Sequence, residues 1–419
     1  MTLDGAQIGS MLAAYSSAAP LLLFTDFSPD FAGGGAVILR SLLPSDPHPG
    51  LLWVSLSRAA EKTPGRFVPL STGRFGEGGT RWPSLDATVF ARALAREVLS
   101  IATEARAQAL WVVLHGAGVP VAAELVAQKA LPVHLTVHDD PPYAVALRSR
   151  RYLVLAPWLE RCLDRALTGA TSVDVISEGM RLRYQNRYGV PSFVVHRATS
   201  GPVLPSPPFD RQRGLRIGVL GNTYVYEQLP VLAKAVAQAA STLGVPGTLA
   251  FIGQGHAARL RQGIRTSPRL TIEDHGHLPE HAAIPLLREQ FALYLNYPFG
   301  WRHAVLRQTS FPTKLSTYAL ASRPLLVHAP PDSSVDDLGP KPEYVLRWSS
   351  MSAEDGARAL VTAWSNARTL ESVHEPAEAV RLRYFDPERN RWTLTRALEG
   401  MVHPSSVPDS LDIPATVAP

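Results

Sequence analysis

Apolar residues along this chain gather in short unbroken runs, and the stretches between those runs repeat with helical periodicity. PLLLFTDF (20–27) is such a run, closed by Asp26 and Ser28, and it predicts a buried strand. FAGGGAVILRSLL then turns into a helix. LLWVSLS (51–57) and ALWVVLHG (109–116) predict further strands, with a long amphipathic helix around 85–106 between them. LPVHLTVHDDPP (131–142) predicts a strand stopped by two prolines, and TSVDVISEGM (171–180) a strand followed by a helix that Ser177 caps. Strands alternating with helices imply a parallel sheet covered on both faces, hence an α/β protein.

The rhythm breaks at GPVLPSPPFDRQR (201–213), where four prolines and few packing residues predict a linker. It then restarts. LRIGVLGN (215–222), GTLAFIGQG (247–255), LTIEDHG (270–276), FALYLNY (291–297) and PLLVHAP (324–330) are strand-like, and 227–243 reads as a helix. The expected division is an N-terminal Rossmann-like domain over 1–203, a linker over 204–213 and a second Rossmann-like domain over 214–385. A final helix over 386–402, carrying Trp392, is expected to pack back on the first domain. The Pro- and Ser-rich 403–419 is expected to be a disordered tail. Two parallel sheets joined by one linker are expected to face each other across a cleft, with ligands outside the carboxyl ends of the strands.

Composition narrows the field. With 419 residues, 46% of them hydrophobic and 18% charged, the chain has material for two sizeable cores. No apolar run approaches the ~18 residues of a membrane span, and the N-terminus lacks the pattern of a signal peptide. A cytoplasmic protein is the expectation. The heavy excess of arginine over lysine is associated with GC-rich bacterial genomes. The single cysteine, Cys162, excludes an internal disulfide and a multi-cysteine metal site, and reads as an inert thiol. A net charge of +5 suits anionic partners without choosing among them. The basic residues form no long patch interleaved with aromatics, which argues against nucleic acid.

The loops after the strands carry the candidate chemistry. Gly33, Gly34 and Gly35 open a helix, so backbone can approach a ligand closely and free N–H groups can face an anion; a plain tight turn is the alternative. The pattern is not GxGxxG, and no acid supports a dinucleotide. His138-Asp139-Asp140-Pro141-Pro142 sits at a strand mouth. His138 is placed to touch substrate, and the acidic pair is alternatively a metal motif or a simple cap; His134 reads as core. Glu178 follows the Ser177 cap, where the helix dipole favours an anion. Arg181, Arg183 and Arg187, with Arg148, Arg150 and Arg151 beside YLVLAPWL, read as solvated faces or as a peripheral contact with an anionic inner-membrane face. Ser310 can cap a helix whose first turn holds Pro312, with Lys314 close by, a place for phosphate or an ordinary capped helix.

Taken together, these segments resemble retaining glycosyltransferases of family 4 (glycosyl transferases group 1), a likeness spanning most of the chain. SVDVISEGMRLRYQNRYG resembles that family's strand and helix ending in a YG turn. SFPTKLSTYALASRPLLVHAP resembles its SFPSKLxEYLAAGxPVLV segment closely, and IGVLGN its first nucleotide-domain strand. The resemblance implies the GT-B fold and metal-independent transfer of a sugar from a nucleotide-diphosphate sugar, with no cofactor required. It implies an acceptor hydroxyl on a carbohydrate, a lipid-linked compound or a small molecule. By it His138 would be catalytic. Gly34, Gly35, Gly221, Asn222, Ser310, Phe311, Pro312, Thr313, Lys314 and Thr317 would bind donor, and Gly33, Asp139 and Glu178 would lie on the acceptor side. The sequence departs from the family at Thr309 and Thr317, where two glutamates are usual, and at Glu227, where a lysine is common. Arg302, His303 and Arg307 stand as replacement donors. The departures keep open a non-catalytic GT-B relative that binds sugar, nucleotide or a partner enzyme; a nucleotide-sugar epimerase is a third reading, for which no carboxylate pair stands out.

Overall fold

The computed structural model of the chain describes residues 20–29, 31, 34–43, 50–56, 66–69, 83–143, 155–208, 210–221, 223, 225–253, 257–258, 260, 268–338, 344–366 and 373–402. The chain divides into two compact units. The first holds the described residues up to Ala198, together with Thr309–Phe311 and those from Asp386 onward. The second holds those of Thr199–Gln308 and Pro312–Phe385.

The first unit is built on β1 (Leu21–Thr25), β2 (Leu51–Ser55), β3 (Arg66–Pro69), β4 (Ala109–Val113), β5 (Val133–Val137), β6 (Ser172–Val175) and β7 (Phe193–Val194). These form one parallel sheet in the order β3-β2-β1-β4-β5-β6-β7. Every residue of β1, β2, β4, β5 and β6 is buried, the signature of strands covered on both faces. Helices α1 (Gly34–Leu42), α2 (Pro83–Glu104), α3 (Gly118–Gln128), α4 (Ala156–Gly169) and α5 (Glu178–Tyr188) alternate with the strands. The chain returns at its end as α12 (Pro387–Val402), which packs on β5, β6, β7 and α1. The backbone N–H of His196 donates to Asn390 Oδ1 at 2.7 Å and ties that helix to the end of β7.

The sheet interior is not wholly apolar. Trp111 Nε1 donates to Thr136 Oγ1 at 2.7 Å, and Thr136 Oγ1 donates to Asp174 Oδ1 at 2.5 Å. His134, fully buried, lies between Asp174 Oδ1 at 2.6 Å and Ser172 Oγ at 2.8 Å. Each of these polar groups is satisfied by a neighbour on the next strand, which is the condition for burying it at small net cost.

The second unit is a six-stranded parallel sheet, β8 (Leu215–Leu220), β9 (Gly247–Ile252), β10 (Leu270–Asp274), β11 (Ala292–Asn296), β12 (Leu325–His328) and β13 (Val345–Trp348), in the order β10-β9-β8-β11-β12-β13. Around it lie α6 (Gln228–Leu243), α7 (Glu280–Arg288), α8 (Ala304–Thr309), α9 (Lys314–Ala321), α10 (Ala353–Ser365) and α11 (His374–Val380). Leu229, Leu232 and Val236 of α6 join Leu360 and Trp364 of α10 in one core cluster over the sheet. The Pro-rich stretch before β8 is counted with this unit. The carbonyls of Leu204 and Pro205 accept from Arg288 at 3.4 and 2.6 Å.

Several elements escape the pattern reading. β3 and β7 are too short to show alternation, and β13 carries Arg347 between Leu346 and Trp348. α3 is buried at eight positions, Gly118–Ala123, Leu125 and Val126, so no polar stripe marks its period. The expected disordered tail 403–419 lies outside the described residues.

Candidate active site

A parallel sheet delivers the residues just past its strands to one edge. Past β1, β4 and β5, neighbours in the first sheet, stand Asp26, His115 and His138. Asp26 holds His115 Nδ1 with both carboxylate oxygens, at 3.0 and 3.1 Å. The next residue, Gly116, has φ +47°, and a Cβ there would lie 2.2 Å from Asp26 Oδ2, so only glycine lets the two loops meet. The Phe27 ring stands edge-on to His115 with centroids 5.8 Å apart. From α1, Arg40 donates to the carbonyls of Pro29 and Phe31 and braces the loop after β1.

His138 completes the group. A Cβ built on Gly35 would sit 3.1 Å from His138 Nδ1 and 3.5 Å from the Phe27 ring, so the glycine turn and the imidazole are in contact. Burial pushes the His138 pKa down to about 4; the Asp174 charge opposes this and His115 adds to it. His138 is therefore a neutral imidazole across the physiological range, able to donate from one nitrogen and accept at the other. Gly34 opens α1 and is exposed, while Gly33 lies outside the described residues.

The other first-unit candidates are committed locally. Asp140 is buried, accepts from the Tyr143 N–H at 3.3 Å and lies 3.9 Å from Arg183; burial pushes its carboxyl upward against that guanidinium. Asp139 is half-buried. Ser177 caps α5 by accepting from the Met180 N–H at 3.0 Å, and Glu178 pairs with Arg181 at 2.5 Å. Arg187 pairs with Glu160 at 3.2 Å. The basic face of α5 is thus matched by carboxylates, which gives no support to membrane docking there; Arg148, Arg150 and Arg151 lie outside the described residues. Cys162 is a free, partly buried thiol on α4, pushed up in pKa by that burial.

At the carboxyl edge of the second sheet, β8 ends at Gly221 with φ +62°; Asn222 lies outside the described residues. The 310–317 segment departs from expectation. Ser310 does not cap α9. That helix begins at Lys314, its preceding residue Thr313 is already helical (φ −56°, ψ −29°), and no side chain caps it. The Pro312 carbonyl accepts from the Leu315 N–H at 3.0 Å, which places the first turn two residues beyond Ser310. Pro312 disfavours helical geometry in Phe311, so the helix starts after the proline. Ser310, Phe311 and Pro312 are buried in the link from α8. Lys314 is partly buried, and desolvation lowers its ammonium to about 8.

Thr317 brings a partner that the sequence does not announce. Its Oγ1 donates to Glu280 Oε1 at 2.5 Å, so a carboxylate from the start of α7 reaches the position where family 4 has its second glutamate. Arg307 is not available as a replacement donor. It grips Asp332 with two bonds of 2.6 and 2.7 Å and donates to the Gly300 carbonyl at 2.6 Å. Arg302 lies over the ring of Trp301, which is 80% exposed, and burial lowers the pKa of His303, with Glu227 opposing.

The sequence singled out His138, the glycine turn and Lys314 but missed Asp26, His115 and Glu280. Asp26 and His115 were legible as the polar residues ending two apolar runs. Glu280 had no local signal, because its place depends on α7 packing beside α9.

No family model and no curated protein matches the chain by sequence. Solved structures do match. Anabaena HepE, crystallised with UDP and glucose, is 16% identical over 91% of this chain and 99% of its own, with a TM-score of 0.61. It has also been solved with UDP-glucose. Sucrose-phosphate synthase from Thermosynechococcus elongatus is 12% identical over 92% of this chain and 100% of its own, with a TM-score of 0.66. A glycosyltransferase from Rickettsia africae is 11% identical over 93% and 100%, with a TM-score of 0.59. The fold is GT-B. In this GT-B chain the first sheet's edge carries Asp26, His115, His138 and Gly35, and the second sheet's edge carries Gly221, Lys314 and the Thr317–Glu280 pair. Among the described residues no three His, Cys, Asp or Glu side chains cluster to hold a metal, and no helix is long and apolar enough to cross a membrane.

Proposed function

We propose that this chain is a glycosyltransferase that moves a sugar from a nucleoside-diphosphate sugar to an acceptor hydroxyl, with no metal and no further cofactor. The observation that carries the reading is the neutral His138 held against the Gly35 turn at the edge of a GT-B sheet. Bond breaking at the anomeric carbon sends an electron pair onto the departing diphosphate, so cations and N–H donors fixed beside it lower the barrier. Lys314, at the first turn of α9, supplies the cation. His138 contacts the sugar as a neutral hydrogen-bonding group. The Glu280 carboxylate, held by Thr317, takes the ribose hydroxyls in place of the absent glutamate. Gly34, Gly35 and Gly221 let backbone approach the donor, and Asp139 and Glu178 lie with the acceptor.

HepE, solved with UDP and UDP-glucose, suggests uridine nucleotides as first probes. Retention at the anomeric carbon is implied by the family resemblance and is read from the proton NMR coupling of the product. The deciding experiment is a thermal-shift and calorimetry panel of UDP-, GDP- and ADP-sugars, followed by an assay for nucleoside-diphosphate release. Binding with turnover is the expected result. Threonines at 309 and 317 favour a second reading, a non-catalytic GT-B relative that binds sugar, nucleotide or a partner enzyme; binding without turnover, or no binding at millimolar nucleotide, makes that the better reading.

A further inference from the structure

The second sheet grows outward from β8, with β9 and β10 on one side of it and β11, β12 and β13 on the other. In an open parallel sheet such a reversal of strand order leaves a gap at the carboxyl ends of the two central strands, where ligands bind. The ladders show where that gap begins. β8 stays paired with β9 up to its last residue, Leu220 opposite Ile252, and β11 with β12 up to Asn296 opposite His328. β8 and β11 pair only at Ile217 with Ala292 and Gly218 with Leu293. Gly218 marks their last close approach, since a Cβ there would lie 3.0 Å from Leu293 Cδ2.

Carried forward in that register, the next rung of the parallel ladder would run from the Leu220 N–H to the Tyr294 carbonyl. A side chain takes its place. The Tyr318 hydroxyl, from α9, accepts the Leu220 N–H at 3.0 Å and donates to the Tyr294 carbonyl at 3.0 Å. One phenol oxygen thus stands where a direct bond would close the two strands. Both tyrosines are fully buried, and burial pushes the Tyr318 pKa up, so the phenol keeps the proton that it donates. Leu220 leads into Gly221, whose N–H is held from the other side by the Ile252 carbonyl at 2.7 Å. Lys314 lies four residues before Tyr318 on α9, about one turn away on the same face. The hydroxyl therefore fastens the helix that carries Lys314 to the strand that ends in the Gly221 turn.

We propose that Tyr318 is a positioning residue for the donor: its hydroxyl wedges β8 from β11 and sets α9, with Lys314, relative to the Gly221 turn. The proposal rests on the nucleotide reading given above. Sugar transfer breaks the bond to the outer phosphate of the donor, so Lys314 serves that phosphate and Tyr318 acts through Lys314. Without the hydroxyl, the Leu220 N–H and the Tyr294 carbonyl are free to meet directly, and α9 loses its tie to β8. The outer phosphate then loses its cation, while the nucleoside and the inner phosphate are affected far less.

The test uses the full chain and calorimetric titration with UDP and UMP, or the diphosphate and monophosphate of whichever nucleoside the panel selects. Tyr318→Phe, Lys314→Met and the double variant are compared with the wild type, with a urea melt of each. Tyr318→Phe is expected to weaken UDP about 10-fold and UMP less than about twofold, the loss of one charge-assisted contact. The double variant is expected to bind UDP as Lys314→Met does, because two residues that act through one contact do not add. A role confined to stability would lower the melt and leave the affinities of the folded protein unchanged. Unchanged UDP affinity, equal losses for UDP and UMP, or losses that add in the double variant each overturn the proposal. In those cases the wild type still binds UDP, and the nucleotide reading stands. If the wild type binds no member of the panel, that reading falls and the role of Tyr318 falls with it. Should Tyr318→Phe melt too early to titrate, hydrogen exchange in the wild type decides. UDP, and not UMP, is expected to slow exchange around Leu220 and at the start of α9 together, and protection of only one of the two overturns the coupling.

Discussion

Replacing Lys314 by methionine tests whether a costly ammonium is kept for a ligand. Burial lowers this group from its ordinary 10.5 to about 8. That difference sets an upper limit of about 3 kcal/mol against burying the charge. The unfolded chain keeps the proton up to pH ~10.4, while the folded protein releases it near 8. Below pH 8 both states carry the charge and the folded state bears the full cost; between 8 and 10.4 the unfolded state holds more protons, so stability rises with pH. Lys314→Met therefore raises stability at pH 7 by up to about 3 kcal/mol, and the gain shrinks toward pH 10. The same change weakens nucleoside-diphosphate binding by about 10- to 100-fold, the worth of a charge-assisted bond of roughly 1.5–3 kcal/mol. In the wild type that affinity falls about tenfold from pH 7 to pH 9 as the ammonium is lost, and in the variant it stays flat. Urea melts at pH 7 and 9, with calorimetric titration of UDP at both, read all of these. A variant that is less stable at pH 7, or a wild-type affinity indifferent to pH, refutes the argument.

His138→Ala is expected to cut turnover by about 100-fold or more with folding intact, and because His138 titrates near 4, wild-type rate profiles show no inflection from it above pH 5. Glu280→Gln is expected to weaken UDP binding more than Thr317→Val, whose lost hydrogen bond is worth about 1 kcal/mol net; calorimetry ranks the two, and the reverse order rejects the ribose assignment. Gly116→Ala places a Cβ against Asp26 at a left-handed backbone position. It should cost more than 1 kcal/mol in a urea melt, and a melt matching the wild type rejects the close approach of the two loops.

The architecture was legible because fully buried parallel strands write themselves as apolar runs, as LLLFT, LLWVS and ALWVV show. Helix starts were less so. Ser310 and Pro312 carry the composition of a cap and first turn, yet the proline holds Phe311 out of the helix and Lys314 becomes the first residue. Within the site, His138 could be placed from its own strand alone. The Asp26–His115 pair, 89 positions apart in the chain, required knowing that β1 and β4 are neighbours in the sheet. Glu280 required the packing of two helices. Contacts made between elements distant in sequence leave no trace in either segment's pattern, and the site is made mostly of these.

Synthesis of the polypeptide meets a constraint in the route that the chain takes through its first unit. α12 belongs to that unit and covers β5, β6 and β7, with Asn390 accepting from the His196 N–H. A ribosome delivers those strands long before it delivers their cover. The apolar faces at Ala397 and Leu398, both buried, find their place only after all the residues of the second unit have emerged. The second unit can therefore finish folding while the first still waits, and a stop codon a few turns before the end would injure the half of the protein made first.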